Sequence, residues 1–479
     1  MITLSEISDT RSIRLLLADI FGFCLVVGIA LVASVIARWI LLGFVRFPSP
    51  DDTPRIIIVF LPAFFLLIWR SWSQGHYSQF RPFWAELQEV AKIVGAIAAF
   101  DLFLLFIIGV QFSRLWFGFF LIFICVVIPY GRELTKLRMI RQGIWYQPTY
   151  IIGAGSSAFR TANALKSDSS LGYEIVGFVD LLQSSKTTIG PDNIPIAREL
   201  TSSTTDRLRE SPRLIFALDT LVELEQCQSI LASEIASSRY VTVVPPSFGL
   251  PLYGASVVGI FRHDTALLKV QNRLMSRRSQ YTKRLSDVII GTVCLILFSP
   301  MFLGLWYLIR RDGGPMLFKH RRIGREGKEF DCYKFRSMVS DNQDVLDRYL
   351  EKNPDQQAEW TASRKLKHDP RVTKIGHYLR RTSIDELPQL INVLKGEMSL
   401  IGPRPIVQDE LHLYGQFRDY YLSMTPGMTG LWQVSGRTDT TYNERVRLDV
   451  WYTRNWSLWT DLVVLIKTVK TLIGRHGAY

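Results

Sequence analysis

Four apolar stretches within the first 131 residues, Ile20 to Ala37, Ile56 to Trp69, Ile93 to Val110 and Leu115 to Tyr130, restrict this chain more than any other feature. Hydrocarbon cannot satisfy free backbone polar groups, so runs of this kind are read as membrane helices. The second run is short, and the third carries Asp101 in its middle. No cleavage-site pattern ends the first, which therefore does not read as a signal peptide. Arg70, Arg81 and Lys92 lie between the second and third runs, and Arg132, Lys136, Arg138 and Arg141 follow the fourth, whereas Arg114 stands alone between the third and fourth. Arg46 and Arg55 weaken the contrast. The best fit is a four-helix transmembrane bundle over residues 1–145 with both ends in the cytoplasm. Asp19 and Asp101 are expected to serve packing between helices, in preference to an ion or lipid path.

A chain of 479 residues with 48% hydrophobic content, 12 Trp and 28 Phe is too long for one ordinary domain and suits a membrane protein with soluble parts. Its net charge of +13 could suggest nucleic acid. Many of the cations flank apolar runs, however, which favours an anionic membrane surface and phosphorylated substrates. Cys24, Cys125, Cys227, Cys294 and Cys332 have neither metal nor redox spacing, so disulfides and zinc are not expected.

Residues 146–265 read as a Rossmann-like α/β domain. Thr149 to Ile152 is a buried strand, Gly153-Ala154-Gly155-Ser156-Ser157-Ala158 a tight turn into a helix, and Ile175 to Val179 the next strand, with Asp180 where a ribose-binding acid would stand. Strands at Leu214 to Leu218 and Tyr240 to Val244 extend a parallel sheet, and a Ser/Thr-rich connection runs through residues 184–205. The glycines serve either a bound nucleotide or merely the close approach of strand and helix. Sheet edges and the segment Val257 to Gln271 offer surfaces for a homodimer.

Val288 to Ile309 is a 22-residue apolar segment, long enough for one crossing. Arg277, Arg278, Lys283 and Arg284 precede it and Arg310 and Arg311 follow, so both flanks ask for the same side. Ser299-Pro300 stands at its centre, where proline removes a backbone donor and a serine hydroxyl can take up a freed carbonyl. The expectation is a re-entrant helix over 288–309, broken at Ser299 and Pro300; a kinked spanning helix is the competing account.

Between residues 369 and 405, Asp385 and Glu386 sit among Arg371, Lys374, Arg380, Arg381 and Arg404, a mixture that suits phosphate chemistry or a solvated ion-pair surface. Leu387, Leu390, Ile391 and Leu394 form a helical stripe ending at Lys395-Gly396, so the carboxylates fall at a helix start. Ser383 to Glu386 has capping-box spacing, while Pro388 suits a start near Leu387, and both caps stay open. Free N–H groups and the helix dipole are expected to keep Asp385 ionised beside a phosphate.

From residue 275 onward the chain resembles the bacterial sugar transferases, also called monotopic phosphoglycosyl transferases. The resemblance rests on Lys283-Arg284 with Asp287, Asp312-Gly313-Gly314-Pro315, Lys334-Phe335-Arg336-Ser337-Met338, His368-Asp369-Pro370-Arg371, Asp385-Glu386-Leu387-Pro388-Gln389-Leu390, Gly402-Pro403-Arg404-Pro405 and Thr425-Pro426-Gly427-Met428-Thr429-Gly430. The whole chain is similar to the large members, which begin surface polysaccharides at the bacterial inner (cytoplasmic) membrane. Residues 266–479 would then form a mainly α catalytic domain with its active site on the cytoplasmic face.

The resemblance implies transfer of a sugar 1-phosphate, galactose first and glucose next, from a UDP-sugar to undecaprenyl phosphate with release of UMP. Asp385 would be the nucleophile, with Mg²⁺ near Asp385 and Glu386. Arg380 and Arg404 would hold phosphate oxygens, Lys334 would face the same site, and Asp369 beside Arg371 would order these cations. Gln433, Gly436 and Arg437 would contact the donor. His320, His368 and His377 lack metal-ligand spacing and would suit zinc better. A nucleotide-sugar dehydratase using NAD would need a Tyr-x-x-x-Lys pair, which this chain lacks. A membrane scaffold or length regulator could use the first 265 residues alone, and leaves the Asp385 constellation unexplained. Trp451, Tyr452, Trp456 and Trp459 ahead of Leu462 to Ile473, with Lys467 and Lys470, suggest an in-plane membrane helix, with core packing as the competing account.

Overall fold

The computed structural model describes residues 4–43, 53–77, 81–108, 113–167, 171–180, 192, 194–197, 213–228, 231, 242–244, 255–259, 266–269, 274, 276–310, 314–339, 342–353, 357, 366, 369–435 and 441–473. Asp312, Gly313, His368, Gly436 and Arg437 fall outside the described residues. The chain divides into two compact units, Met1–Phe248 and Gly249–Tyr479.

The first unit opens with four helices: α1 (Leu4–Leu42), α2 (Thr53–Ser73), α3 (Phe83–Ile108) and α4 (Arg114–Arg141). Phe23, Val26, Val59, Phe60, Ile97, Trp116 and Phe120 close a common core, with aromatic edges meeting at Phe23–Phe120 and Phe60–Phe120. Phe21, Ile40, Phe65, Trp69 and Phe106 stay exposed, as apolar residues facing lipid do. Among the described residues, Thr10–Leu41, Ile56–Ser73, Arg114–Arg141 and Arg277–Ile309 are long and apolar enough to cross a membrane.

One end of this bundle holds a buried polar cluster. Arg132, wholly buried, donates Nε to Asp19 Oδ1 at 2.8 Å and Nη2 to Asp19 Oδ2 at 2.6 Å, and also reaches Ser71 and His76. Burial, with Arg132 beside it, pushes His76 down to about 3, so its ring accepts from the guanidinium. Tyr77 donates to Asp19 at 2.6 Å, and Lys136 pairs with Glu86 at 2.5 Å. Asp19 thus ties helices together, as a packing role demands. Asp101 is also buried, yet neither of its oxygens has a hydrogen-bond partner among the described residues.

A parallel sheet follows, built from β1 (Gln147–Ile152), β2 (Tyr173–Val179), β3 (Ile196–Ala197), β4 (Arg213–Ala217) and β5 (Thr242–Val244) in the order β3-β2-β1-β4-β5. Ile151 lies opposite Phe178 on one side and Ile215 on the other. Such continuous apolar strands are what a sheet covered on both faces requires. Helix α5 (Ser156–Ser167) lays Ala158 and Ala162 on Ile151, Phe178 and Ile215, and α6 (Leu221–Gln226) follows β4. The strand order is that of a Rossmann half extended to five strands.

In the second unit, β6 (Ser256–Gly259) and β7 (Ala266–Lys269) pair antiparallel, overlapping the 257–271 segment. Helix α7 (Arg277–Arg310) precedes an antiparallel hairpin of β8 (Leu317–Ile323) and β9 (Glu329–Phe335). Then come α8 (Asn342–Lys352), α9 (Lys374–Thr382), a 3₁₀ turn at Ile384–Glu386, α10 (Gln389–Lys395) and β10 (Ser399–Ile401). After a 3₁₀ segment, Gln408–Phe417, the chain forms α11 (Arg418–Leu422), β11 (Gly427–Thr429), α12 (Leu431–Ser435), α13 (Tyr442–Arg454) and α14 (Leu458–Ile473). Phe330, Leu390, Val393, Leu400, Met424, Tyr452, Trp456 and Val464 form its main core.

Helix α7 is anchored at both ends to this one unit. Near its start Lys283 donates to Asp461 at 2.9 Å and to the Ile401 carbonyl at 3.0 Å, Arg284 donates to the carbonyls of Val393 and Leu394, and Asp287 accepts from Ser399 and Leu400 N–H. At its end Ile309 is buried against Phe335 and Leu379, and its carbonyl accepts from Arg336. Between these anchors Ile289, Val293, Ile296, Leu297 and Leu303 are exposed. The helix runs through Pro300, and Ser299 Oγ donates to the Ile296 carbonyl at 2.7 Å, the acceptor that Pro300 cannot serve.

Candidate active site

The carboxylates sit one turn ahead of the helix, where the sequence pattern suggested its first residues. Ser383, at φ 55°, ψ 18°, closes α9 in left-handed geometry and makes no side-chain cap, so the capping box is not formed. The chain makes a single 3₁₀ turn through Asp385 and Glu386, and α10 starts at Gln389 behind Pro388. Proline at the entry needs no donor there, and Gly396 at φ 87° ends the helix as the Lys395-Gly396 signal indicated.

Two flanking elements bring cations to this turn. Lys334 reaches from β9 to Glu386 Oε1 at 2.7 Å. Arg380 comes from the last turn of α9, and its Nε donates to Ser337 Oγ at 2.9 Å. Gly376 makes that approach feasible: a Cβ there would lie 2.0 Å from the Ser337 carbonyl oxygen. Thr373 caps α9 by accepting from Gly376 N–H, and its own N–H donates to the same Ser337 carbonyl.

At Asp385 burial outweighs the backbone N–H that favours the charged form. Burial, reinforced by Glu386, pushes Asp385 up to about 6, while Lys334 and Arg380 pull against the rise. At neutral pH the group is still mostly ionised, and it has the basicity of a poised nucleophile. Burial also works against ionisation of Asp369, but its hydrogen bonds from Arg371, side chain and backbone, hold its carboxyl below the usual range. That pair is bidentate, at 2.8 and 2.6 Å, so Asp369 orders Arg371.

Arg404 and Gln433 are held by backbone. Gly402 N–H donates to the Thr429 carbonyl and Gly427 N–H to the Pro403 carbonyl, joining β10 to β11. A Cβ on Gly427 would lie 2.0 Å from Gly402 N, and one on Gly430 would lie 2.4 Å from Gly402 O. The Gly-Pro-Arg-Pro and Thr-Pro-Gly motifs therefore interlock main chain with main chain. Arg404 leaves this clasp exposed, with its guanidinium 5.9 Å from the centre of Trp432, and Gln433 follows on α12.

Arg322 and His320 are neighbours that the sequence reading left out of the site. In the hairpin register Phe318 faces Lys334 and His320 faces Cys332, and alternation puts Arg322 on the same side as both. Arg322 Nη2 lies 3.3 Å from His320 Nδ1. Burial and then Arg404 push the Arg322 guanidinium down, and burial, Arg322 and Lys334 do the same to His320. Clustered like charge of this kind calls for an anion. Burial raises the Cys332 thiol to about 11, which keeps it protonated, and Lys334, Arg322, Glu386 and Arg404 all act upon it electrostatically. The hairpin, the carboxylate turn and the glycine clasp thus converge.

The sequence profile of the bacterial sugar transferases matches residues 278–475, the stretch that contains this arrangement. The undecaprenyl-phosphate galactose phosphotransferase of Salmonella typhimurium is 42% identical over 455 residues, covering 93% of this chain and 94% of that protein. This chain belongs to the bacterial sugar transferase family. The UDP-galactose-lipid carrier transferase of Erwinia amylovora is 39% identical to this transferase over 415 residues, covering 84% of each. The exopolysaccharide production protein ExoY of Rhizobium meliloti is 50% identical over 198 residues, 41% of the transferase and 88% of ExoY. A further profile, described as a CoA-binding domain, matches residues 73–212.

Proposed function

We propose that this membrane-associated phosphoglycosyl transferase moves galactose 1-phosphate from UDP-galactose to undecaprenyl phosphate, the first membrane step of a surface polysaccharide. The carrying observation is a half-buried Asp385 set between Lys334 and Arg380, with an anion-seeking cluster of Arg322 and Arg404 beside it. An Asp385 oxygen attacks the β-phosphorus of the donor, the bond to UMP breaks, and UMP leaves with that electron pair. An oxygen of the lipid phosphate then attacks the same phosphorus and returns the carboxylate. Lys334 and Arg380 hold the carboxylate ionised and steady the developing charge on phosphorus, and Arg322 and Arg404 bind the diphosphate oxygens. The galactose preference follows the two long relatives named for it.

Asp385 and Glu386 fit a magnesium ion, which takes one or two carboxylates, several waters and substrate phosphates. Among the described residues no group of three or more His, Cys, Asp or Glu could hold a metal. Held by these two carboxylates, such an ion would neutralise charge on the diphosphate.

The re-entrant reading of α7 is supported by its two anchors on one compact unit. A helix of 34 residues reaches about 50 Å if straight, and a spanning helix would carry Ile309 away from the domain that holds Lys283. On α14, Leu458, Leu462, Ile466, Val469 and Leu472 form an exposed stripe opposite buried Val464, which suits a helix lying in the membrane surface. On this reading Asp385 works at the cytoplasmic leaflet. The test is UMP release by purified protein across a panel of UDP-sugars. UDP-galactose is expected to give the fastest release and Asp385→Asn none; release by the variant at the wild-type rate would overturn the assignment.

A further inference from the structure

The CoA-binding description and the glycine turn of the Rossmann-like domain both imply a nucleotide whose phosphates rest on the N-terminus of α5. The residues present do not fit that group. Ser156 N–H donates to Asp219 Oδ2 at 2.9 Å, Ser157 N–H to Asp219 Oδ1 at 2.6 Å, and the Ser156 hydroxyl to Oδ1 at 3.2 Å. A carboxylate of the chain itself takes the donors that a pyrophosphate would use. We infer that the N-terminus of α5 is closed by Asp219, so that this domain does not bind a nucleotide coenzyme through its glycine turn.

Three observations carry the inference. The first is the role of Gly155. In a dinucleotide site that glycine leaves room for phosphate, but here a Cβ would lie 2.0 Å from Asp219 Oδ2 and 2.8 Å from Asp219 Cγ, so the room is filled. Gly153 likewise serves packing, since its φ is 123° and a Cβ would lie 2.4 Å from the Ala217 carbonyl oxygen.

The second is how Asp219 is held. It stands two residues beyond β4, its own N–H donates to Glu223 Oε2 at 2.9 Å, and Glu223 N–H donates to Thr220 Oγ1 at 3.2 Å. The carboxylate is therefore pre-positioned by its loop, and a phosphate would have to displace it or settle within hydrogen-bond distance of its charge. The third is Asp180, at the ribose-recognition position, which is only 2% exposed.

The experiment uses the full chain in detergent with three variants, Gly155→Ala, Asp219→Ala and the double variant, and reads amide hydrogen exchange across residues 156–161. Asp219→Ala is expected to lose at least tenfold protection at Ser156 and Ser157. Gly155→Ala alone is expected to lose protection because its methyl expels the carboxylate, and adding it to Asp219→Ala should cause no further loss. Equilibrium dialysis with CoA and with NAD should show no binding to the wild-type chain at millimolar ligand. Full protection in Gly155→Ala, additive losses in the double variant, or millimolar CoA or NAD binding that Gly155→Ala abolishes would each overturn the inference. UMP release is unaffected by these variants, so the outcome is separate from the proposed transfer reaction.

Discussion

Replacing Asp385 by Asn should abolish UMP release and, at the same time, make the protein harder to unfold. The carboxyl rises from 3.8 to about 6 because burial and Glu386 disfavour its charge. A shift of roughly two units corresponds to about 3 kcal/mol, and partial solvent access reduces that to about 1 to 2 kcal/mol. A folded pKa above the unfolded one means that the protonated group contributes stability below pH 3.8, and that this contribution is lost as pH rises through about 6. Wild type therefore carries the full penalty at pH 7.5, which Asn escapes. For a unit of this size the gain is about 2 to 8 °C in the unfolding midpoint. Scanning calorimetry of the full chain in detergent at pH 7.5, 6 and 4.5 would show the gap between variant and wild type shrinking with acid. Equal midpoints at pH 7.5, or a gap that widens on acidification, would refute the reasoning, and so would UMP release by the variant.

The rate of UMP release should fall about tenfold between pH 7 and pH 5, as the ionised fraction of a group near 6 declines from about nine-tenths to about one-tenth; a stopped-assay pH profile checks this. Lys334→Met removes the Glu386 partner and one of the two cations that oppose the rise of Asp385, so the acid limb of that profile should move to higher pH. Its maximal rate should drop about 100-fold or more. Asp19→Ala leaves the Arg132 charge buried without its bidentate partner, and should cost about 3 to 5 kcal/mol in denaturant unfolding of the bundle. Replacing both partners by apolar residues should recover most of that loss.

Periodicity carried the fold a long way. The strands around Ile151, Phe178 and Ile215 read from the sequence because a sheet covered on both faces needs unbroken apolar runs. The Leu390 to Lys395 helix and its Gly396 stop were legible for a similar local reason. Local rules failed where a distant partner decides. Ser383 has capping-box spacing, but the tight exit from α9 puts it in left-handed geometry and turns its side chain away from that task. Asp219 lies 63 residues from Ser156, so nothing in the glycine turn announces it. Arg322 was within reach of sequence reasoning, since Phe318, His320 and Arg322 alternate as a strand should. What was missing was the hairpin register that turns their face towards Lys334. The Asp385 environment was visible in composition, whereas the raised pKa depends on burial that only packing supplies.

Because Gly402, Gly427 and Gly430 lock main chain against main chain, the frame that carries Arg404 and Gln433 owes nothing to side-chain volume. A methyl at any of the three would press on backbone, so the joint tolerates no side chain at these positions.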